Sequence, residues 1–480
     1  MTSSLNSEAQ AFTNGSLRGG AIIGTFFHAP TADLLEVLSD TMIVVDGSGG
    51  IAAILAPGAA GRGDMEREYH GRTLRLPAGT YGMAGFVDLH VHAPQYPQLG
   101  LALDTPLEEW LNTYTFPLEA RYEDLQFAEE RYRMLVDDLL ANGTTTALYF
   151  ATQHIEASKL LADICIERGQ RALVGKVAMD DALSCPDNYR DADAEAAISG
   201  TRAVIEHIRN HPQNGEGKVL PVVTPRFTPS CSDAALSGLG ALAHEYGCHI
   251  QTHCSESDWA HGHALGRFGV TDAEALDNFG LLTRRTVLAH ANFLTGADLD
   301  RVSQRGAGVA HCALSNIYFA NSVFPLRAAL ERQVRVGLGT DISGGPSASM
   351  FNACLTTMQS SRMLEEGVDP DLPSDRRGRS GSRISLVTAF HLATAGGADV
   401  LDLPVGRLQT GCRLDLIAVD ATRAEGGIRL FDTTESEAIF EKIVHGATRA
   451  NIAAVWVDGK QVLGSPQAAL AAAPSDTLPY

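Results

Sequence analysis

From residue 86 to residue 340 the chain repeats one pattern, a short apolar run followed by a longer stretch with helical spacing. Eight such runs occupy residues 86–92, 144–150, 172–178, 219–224, 249–253, 286–290, 306–311 and 334–340, and helices are expected near 124–140, 157–168, 192–208 and in the later intervals. Parallel strands must be joined by a crossover, most simply a helix. Short runs rich in Val, Ile and Leu also fit strands buried on both faces. Eight alternations therefore predict an α/β fold built on a parallel (β/α)8 barrel of the TIM type.

At 480 residues the chain exceeds one barrel, and both flanks carry strand signals. Between residues 21 and 82, runs at 21–27, 41–45 and 51–55 are broken by Gly, Asp and Pro, which reads as a small antiparallel β unit. Strand patterns return at 414–419, 452–457 and 459–463. The expected organisation is a polar tail (1–20), the first part of a small β-sandwich-like domain (21–82), the barrel inserted within it (83–400), and the rest of the small domain with its tail (401–480). Residues 93–121 read as a long loop, and Arg376, Arg377 and Arg379 as a solvated basic loop.

Composition narrows the function by exclusion. A formal net charge of −20 opposes binding to a phosphate backbone. The first residues are polar and lack the basic and apolar regions of a secretory signal. No stretch reaches the roughly 18 apolar residues of a membrane span. The 8 cysteines include no C-x-x-C pair, so reduced, buried thiols in a cytoplasmic protein are expected. Cys254, beside His253, is the one cysteine placed as a possible nucleophile, and no separate activating base is evident around it.

Chemistry gathers where the strands end. In a strand, residues i and i+2 share a face, so His90 and His92 project together at the end of the first run. Two imidazoles so placed suit zinc or another borderline first-row divalent metal. With 16 histidines, such a pair is weak on its own, and the chain holds a second, His261 and His263, in a loop running into a helix where i and i+2 diverge. The first pair differs in its company. Arg226 follows the fourth run, His253 ends the fifth, His290 the sixth and His311 the seventh, and Asp341 follows the eighth. Barrel enzymes place their chemistry at this face. One metal ion would resolve the conflict of so many polar groups at one mouth. Glu256, three residues after His253, stands where a carboxylate could shuttle protons to and from a metal-activated water. A favourable place against a helix N-terminus is the compatible structural alternative.

The motifs GFVDLHVHAPQY, EEWLNTYTFPLEARYED, NGTTTALYFAT, VVTPRF, QTHCSE, VLAH and GLGTDISGG occur in this order over nearly the whole chain. In this series the chain resembles the amidohydrolase superfamily and, within it, the guanine deaminases. The H-x-H pair is generic to the superfamily, whereas W-L-x-x-Y-T-F-P and P-R-F are more specific to that branch. The resemblance implies one zinc ion per subunit held by His90, His92, His253 and Asp341, with His290 completing the site or hydrogen-bonding the attacking water. It implies Gln95, Arg226 and Phe227 as purine-contacting positions alongside His253 and Asp341, with Trp110 and His154 at the pocket wall or simply packed. It further implies a homodimer.

The implied reaction is hydrolytic deamination at C2 of guanine, giving xanthine and ammonia. Glu256 would protonate ring nitrogen N3 and Asp341 would take the proton of the attacking water. One departure stands out. Ala313, in HCALSNIYFANSVFPL, occupies a position where relatives usually carry proline, while Asn316 resembles the family. That stretch is expected to border the mouth, so a related ring remains open as substrate: a pterin, 8-oxoguanine, another aminopurine, a triazine or a cyclic amide. A non-catalytic scaffold is the remote alternative.

Overall fold

The structure is a computed structural model that describes residues 15–320 and 322–464; residues 1–14 of the polar tail and 465–480 at the other end lie outside the described residues. The strands before the barrel are β1 (Ala21–Thr31), β2 (Leu34–Val45), β3 (Ile51–Leu55), β4 (Thr73–Arg75) and β5 (Thr80–Ala84). The barrel strands are β6 (Phe86–His92), β7 (Thr144–Phe150), β8 (Arg171–Gly175), β9 (Val177–Ala178), β10 (Val219–Pro225), β11 (His249–Cys254), β12 (Thr286–His290), β13 (Gly308–His311) and β14 (Arg335–Leu338). After it come β15 (Leu416–Asp420), β16 (Ile452–Val457) and β17 (Lys460–Leu463).

The barrel strands pair in parallel in the order β14-β13-β12-β11-β10-β8-β7-β6, with β9 beside β10. The circle closes just past β14, where His92 N donates to the Ile342 carbonyl at 2.8 Å and Asp341 N to the His90 carbonyl at 2.8 Å. The third expected strand is interrupted at Lys176. Its ammonium turns inward to Asp191 Oδ1 at 2.7 Å and the Val177 carbonyl at 3.0 Å, so the backbone there cannot continue the ladder.

The small domain is a single curled sheet of 8 strands, ordered β17-β16-β15-β5-β1-β2-β3 with β4 against β1, and is drawn from both termini as expected. Its N-terminal part is not purely antiparallel, because β5 and β4 both lie parallel to β1. The reason is directional: β5 must finish where β6 begins, one residue later. Gly85 makes that crossing, and a Cβ there would lie 2.3 Å from Thr145 Oγ1.

Residues 93–121 are not a loop. They fold as a string of short helices, Ala93–Gln98, Leu107–Trp110, a π-turn at Leu111–Thr115, and Phe116–Ala120. Pro94 sits in a first turn, where a missing N–H leaves no hydrogen bond unmade, and Pro117 follows directly on the π-turn within a continuous helical run. The expected helix after them is Leu125–Ala141, whose Asp124 cap accepts from the amides of Gln126 and Phe127. Arg376 and Arg379 are exposed around a short helix, Ser374–Arg377. Among the described residues no helix is long and apolar enough to cross a membrane.

Charge joins the two sheets. Arg171, at the start of β8, reaches Asp458 Oδ1 at 2.6 Å and Asp415 Oδ2 at 3.3 Å, and all three side chains are buried. Removing one partner of a buried ion pair leaves the other charge uncompensated, at a cost of ~3–5 kcal/mol. Arg171→Met is therefore expected to lower stability by about that amount, read as a reduced denaturant midpoint. A midpoint equal to wild type would refute the role of this junction.

Candidate active site

His90 and His92 leave β6 side by side, with ring centroids 4.8 Å apart. His253 enters from the end of β11, and its Nε2 lies 2.9 Å from His92 Nε2. Asp341, just past β14, places Oδ1 3.2 Å from His90 Nε2 and 3.6 Å from His92 Nε2. Donor atoms held at ~2.1 Å by one tetrahedral metal ion would stand roughly 3.4 Å from one another. The observed spacings bracket that value. All four side chains are buried, and His90 Nε2 and His92 Nδ1 have no hydrogen-bond partner among the described residues. The donor set of neutral imidazoles and a carboxylate fits zinc.

Neighbouring groups decide which nitrogen is free. His253 Nδ1 donates to the Arg226 carbonyl at 2.6 Å, leaving the lone pair on Nε2. His290 Nδ1 donates to Asn316 Oδ1 at 2.9 Å, so its Nε2 lone pair faces Glu256 Oε1 at 3.5 Å and Asp341 Oδ2 at 3.8 Å. Asn316 is itself held by Asn292, which also binds the Glu256 carbonyl at 2.9 Å. Burial keeps these rings neutral: desolvation pushes His90, His92 and His253 well below the usual imidazole range, and neighbouring positive charge adds to the effect. Burial, reinforced by the Asp341 carboxylate, pushes the Glu256 carboxyl up to about 8 against the pull of Arg226.

Two further features were not read from the sequence. Asp88, buried on β6, accepts from Thr340 N at 2.9 Å, Thr340 Oγ1 at 2.5 Å and His90 N at 3.2 Å, tying the first strand to the segment that carries Asp341. Its only sequence signal was a carboxylate in an otherwise apolar strand. The backbone at the mouth is also strained: Ser255, His290, Ala291 and Asp341 take φ values of 46°, 67°, 57° and 51°. Such conformations cost about 1–3 kcal/mol each and cluster at functional sites.

A cavity with about 390 Å³ of empty space, counted to its open mouth, leads from these groups. His92, His253, Glu256 and Asp341 line it together with Gln95 and Arg226, and Trp110, Phe227 and Phe319 add aromatic surface. Of the other candidates, His90 and His290 stand against these residues without lining the cavity, and His154 is also outside the lining, with its Nε2 3.2 Å from the Ala120 carbonyl and its backbone starting the helix Ile155–Arg168. Cys254 is buried and its thiol is pushed well above its usual range by burial and Asp272, which leaves it inert. His261 and His263 lie on the helix Asp258–Phe268, away from the ligand set, and His311 packs on Phe324.

The atypical stretch is the helix Ala313–Phe319 rather than a loop. Ala313 is its first residue, a position that takes Ala or Pro with equal ease because the N–H there has no intrahelical partner. The helix sends Asn316 to His290 and Phe319 to the cavity.

Residues 81–462 match the sequence model of the Amidohydrolase family. The chain is 36% identical over 451 residues to guanine deaminase from Homo sapiens, covering 92% of this chain and 96% of that protein. It is 35% identical over 453 residues to a probable guanine deaminase from Schizosaccharomyces pombe, covering 92% and 83%. A solved structure of guanine deaminase from C. acetobutylicum with guanine bound in its active site superposes with a TM-score of 0.82 at 27% identity, over 92% of this chain and all of that one.

The ligand geometry predicts that His92→Ala and His253→Ala each reduce bound zinc from about one equivalent to near zero by elemental analysis. Asn316→Ala, which removes the acceptor for His290 Nδ1 together with the bonds to Asn292, is expected to weaken metal affinity or activity about 10–100-fold. Full zinc retention in His253→Ala would disprove the ligand assignment.

Proposed function

We propose that this chain, which belongs to the amidohydrolase family, is a zinc-dependent guanine deaminase that converts guanine to xanthine and ammonia. One observation carries the reading. A single cavity is lined both by histidine and carboxylate side chains of the cluster and by Arg226 and Gln95, with Phe227 beside them. A flat ring with an amino group at one edge and a carbonyl at another matches that arrangement. The similarity to guanine deaminases along most of the chain supports the same substrate.

His90, His92, His253 and Asp341 would hold the zinc ion. Bound there, zinc supplies Lewis acidity that brings the pKa of a water near neutrality. The chain's own groups do the rest. Asp341 Oδ2 faces His290 Nε2 at 3.8 Å, so the two bracket a position for the attacking water, and Asp341 can accept its proton. Glu256 holds a proton close to neutral pH and can deliver it to ring nitrogen N3 as the attack at C2 breaks the ring's delocalisation. The proton held by Asp341 can then pass to the departing amine, and Glu256 can regain its own from the hydroxyl left on C2 as that becomes the new carbonyl. Arg226 and Gln95 would donate to the ring carbonyl, while Phe227 and Trp110 pack on the ring and exclude solvent.

The surroundings fit this reading. The 8 cysteines are all free thiols, as a reducing compartment such as the cytoplasm requires. A homodimer is part of the proposal, and the exposed side chains of Ile317, Met363 and Val368 around one surface groove supply apolar area for it.

Three measurements test the function. Purified protein is expected to release ammonia from guanine and not from adenine, whereas turnover of a pterin or 8-oxoguanine in place of guanine would replace the substrate and keep the chemistry. Glu256→Gln should lower kcat by about 10²–10⁴-fold with zinc still bound, since general acid–base catalysis contributes that much. Near-normal turnover would remove Glu256 from the mechanism. Chelation should abolish ammonia release, and added zinc should restore it; activity that survives metal removal would overturn the zinc dependence.

A further inference from the structure

Against two of the residues that line the cavity, Arg226 and Gln95, lies a buried carboxylate that the reaction does not consume. Glu119 lies on the short helix Phe116–Ala120 and is fully buried. Its Oε2 accepts from Arg226 Nη1 at 2.7 Å, and its Oε1 accepts from Arg226 Nη2 at 3.2 Å and Gln95 Nε2 at 2.8 Å. It thus holds both residues that face the ring carbonyl in the proposed function, and the inference rests on that reading.

We propose that Glu119 is the positioning residue that makes this site select a ring carbonyl over a ring amine. The argument is one of donors and acceptors. An ionised carboxylate can only accept hydrogen bonds, so whatever faces it must donate. The Gln95 amide is thereby oriented with Nε2 toward Glu119, and Ser343 N, donating to Gln95 Oε1 at 3.3 Å, enforces the same orientation from the other side. Gln95 then has one N–H left, and Arg226 keeps three of its five. The groups left free on Arg226 and on Gln95 Nε2 are all donors.

A ring carbonyl satisfies such donors, and a ring amine opposes their N–H groups with its own. Buried donors left unpaired make this kind of rejection steep, about 10⁴–10⁵-fold in sites built to read one polar group. Glu119 also cancels the charge of Arg226, and both side chains are buried. The pair is therefore net neutral and suits an uncharged ring rather than an anion. Phe116, from the same helix, lies under the guanidinium at 5.0 Å and fixes its plane.

Glu119→Gln would break this logic without changing size. The new amide presents an N–H as well as an oxygen to Arg226 and Gln95, and rotation of the Gln95 amide relieves the clash at the cost of its bond from Ser343 N. Gln95 would then show the cavity a lone pair.

The test compares guanine with 2,6-diaminopurine, which keeps the 2-amino group that is attacked and replaces only the carbonyl by an amine. Wild-type enzyme should favour guanine by about 10⁴ in kcat/KM. In Glu119→Gln that ratio should fall by at least about 100-fold, chiefly through a raised KM for guanine and a gain on the diamine, with zinc content and unfolding midpoint recorded alongside. A merely structural role would slow both rings alike and leave the ratio untouched, which would overturn the proposal. Glu119→Asp, which keeps the charge on a shorter arm, should restore discrimination part of the way. If Glu119→Gln does not fold, Glu119→Asp carries the test alone, with a several-fold lower ratio expected and an unchanged one decisive against. Wild-type protein inactive on both rings would overturn the guanine reading itself and this inference with it, whereas active wild type with an unmoved ratio overturns this inference only.

Discussion

The seam between the first and last barrel strands is the constraint on which the site depends. His90 and His92 come from the first strand and Asp341 from just beyond the last, so no ligand set exists until the sheet is closed into a circle. The closure uses two backbone hydrogen bonds on His92 and Asp341 and a buried carboxylate, Asp88, that grips the Thr340 amide and hydroxyl. Strand alternation then does the rest. Asp88, His90 and His92 share one face of β6, so a residue that holds the seam and two that face the metal position are spaced by the same period of 2.

Dryness is the second condition, and the site meets it by giving each buried charge a partner. His253 and His290 each have one nitrogen anchored by a neighbouring carbonyl or amide oxygen, and Arg226 is held by Glu119. A lone guanidinium in that position would be costly to bury. It would also draw the nearby Glu256 carboxyl toward ionisation, away from the state in which it can give up a proton. The Arg226–Glu119 ion pair thus protects the acid, and recognition and reaction are coupled through charge as well as through shape.

How much of this was legible in the sequence follows from how local each feature is. The barrel was visible because eight apolar runs recur, and the ligands because His90, His92, His253 and Asp341 sit at strand ends that any such barrel brings together. The parallel pairing of β1 with β5 was not, since it reflects where β5 must deliver the chain. The helices between 93 and 121 were missed because each spans only four to six residues, too few to establish a period, and Pro94 and Pro117 were the signs available. Glu119 falls in that stretch, and its partner Arg226 is 107 residues away. His154 looked like a wall residue because it follows a barrel strand by a few positions, and the carbonyl of Ala120 claims its ring instead.

The small sheet has a consequence for how the protein is made. β5 is flanked by β1 on one side and by β15 on the other, yet about 330 residues of barrel separate it from β15 in the chain. At ribosomal speeds of about 5–20 residues per second, that edge waits on the order of tens of seconds for its partner. An open sheet edge is a template for pairing with other chains. The nascent protein therefore carries its most adhesive surface through nearly the whole of its own synthesis, and the last strands to emerge from the ribosome are the ones that seal it.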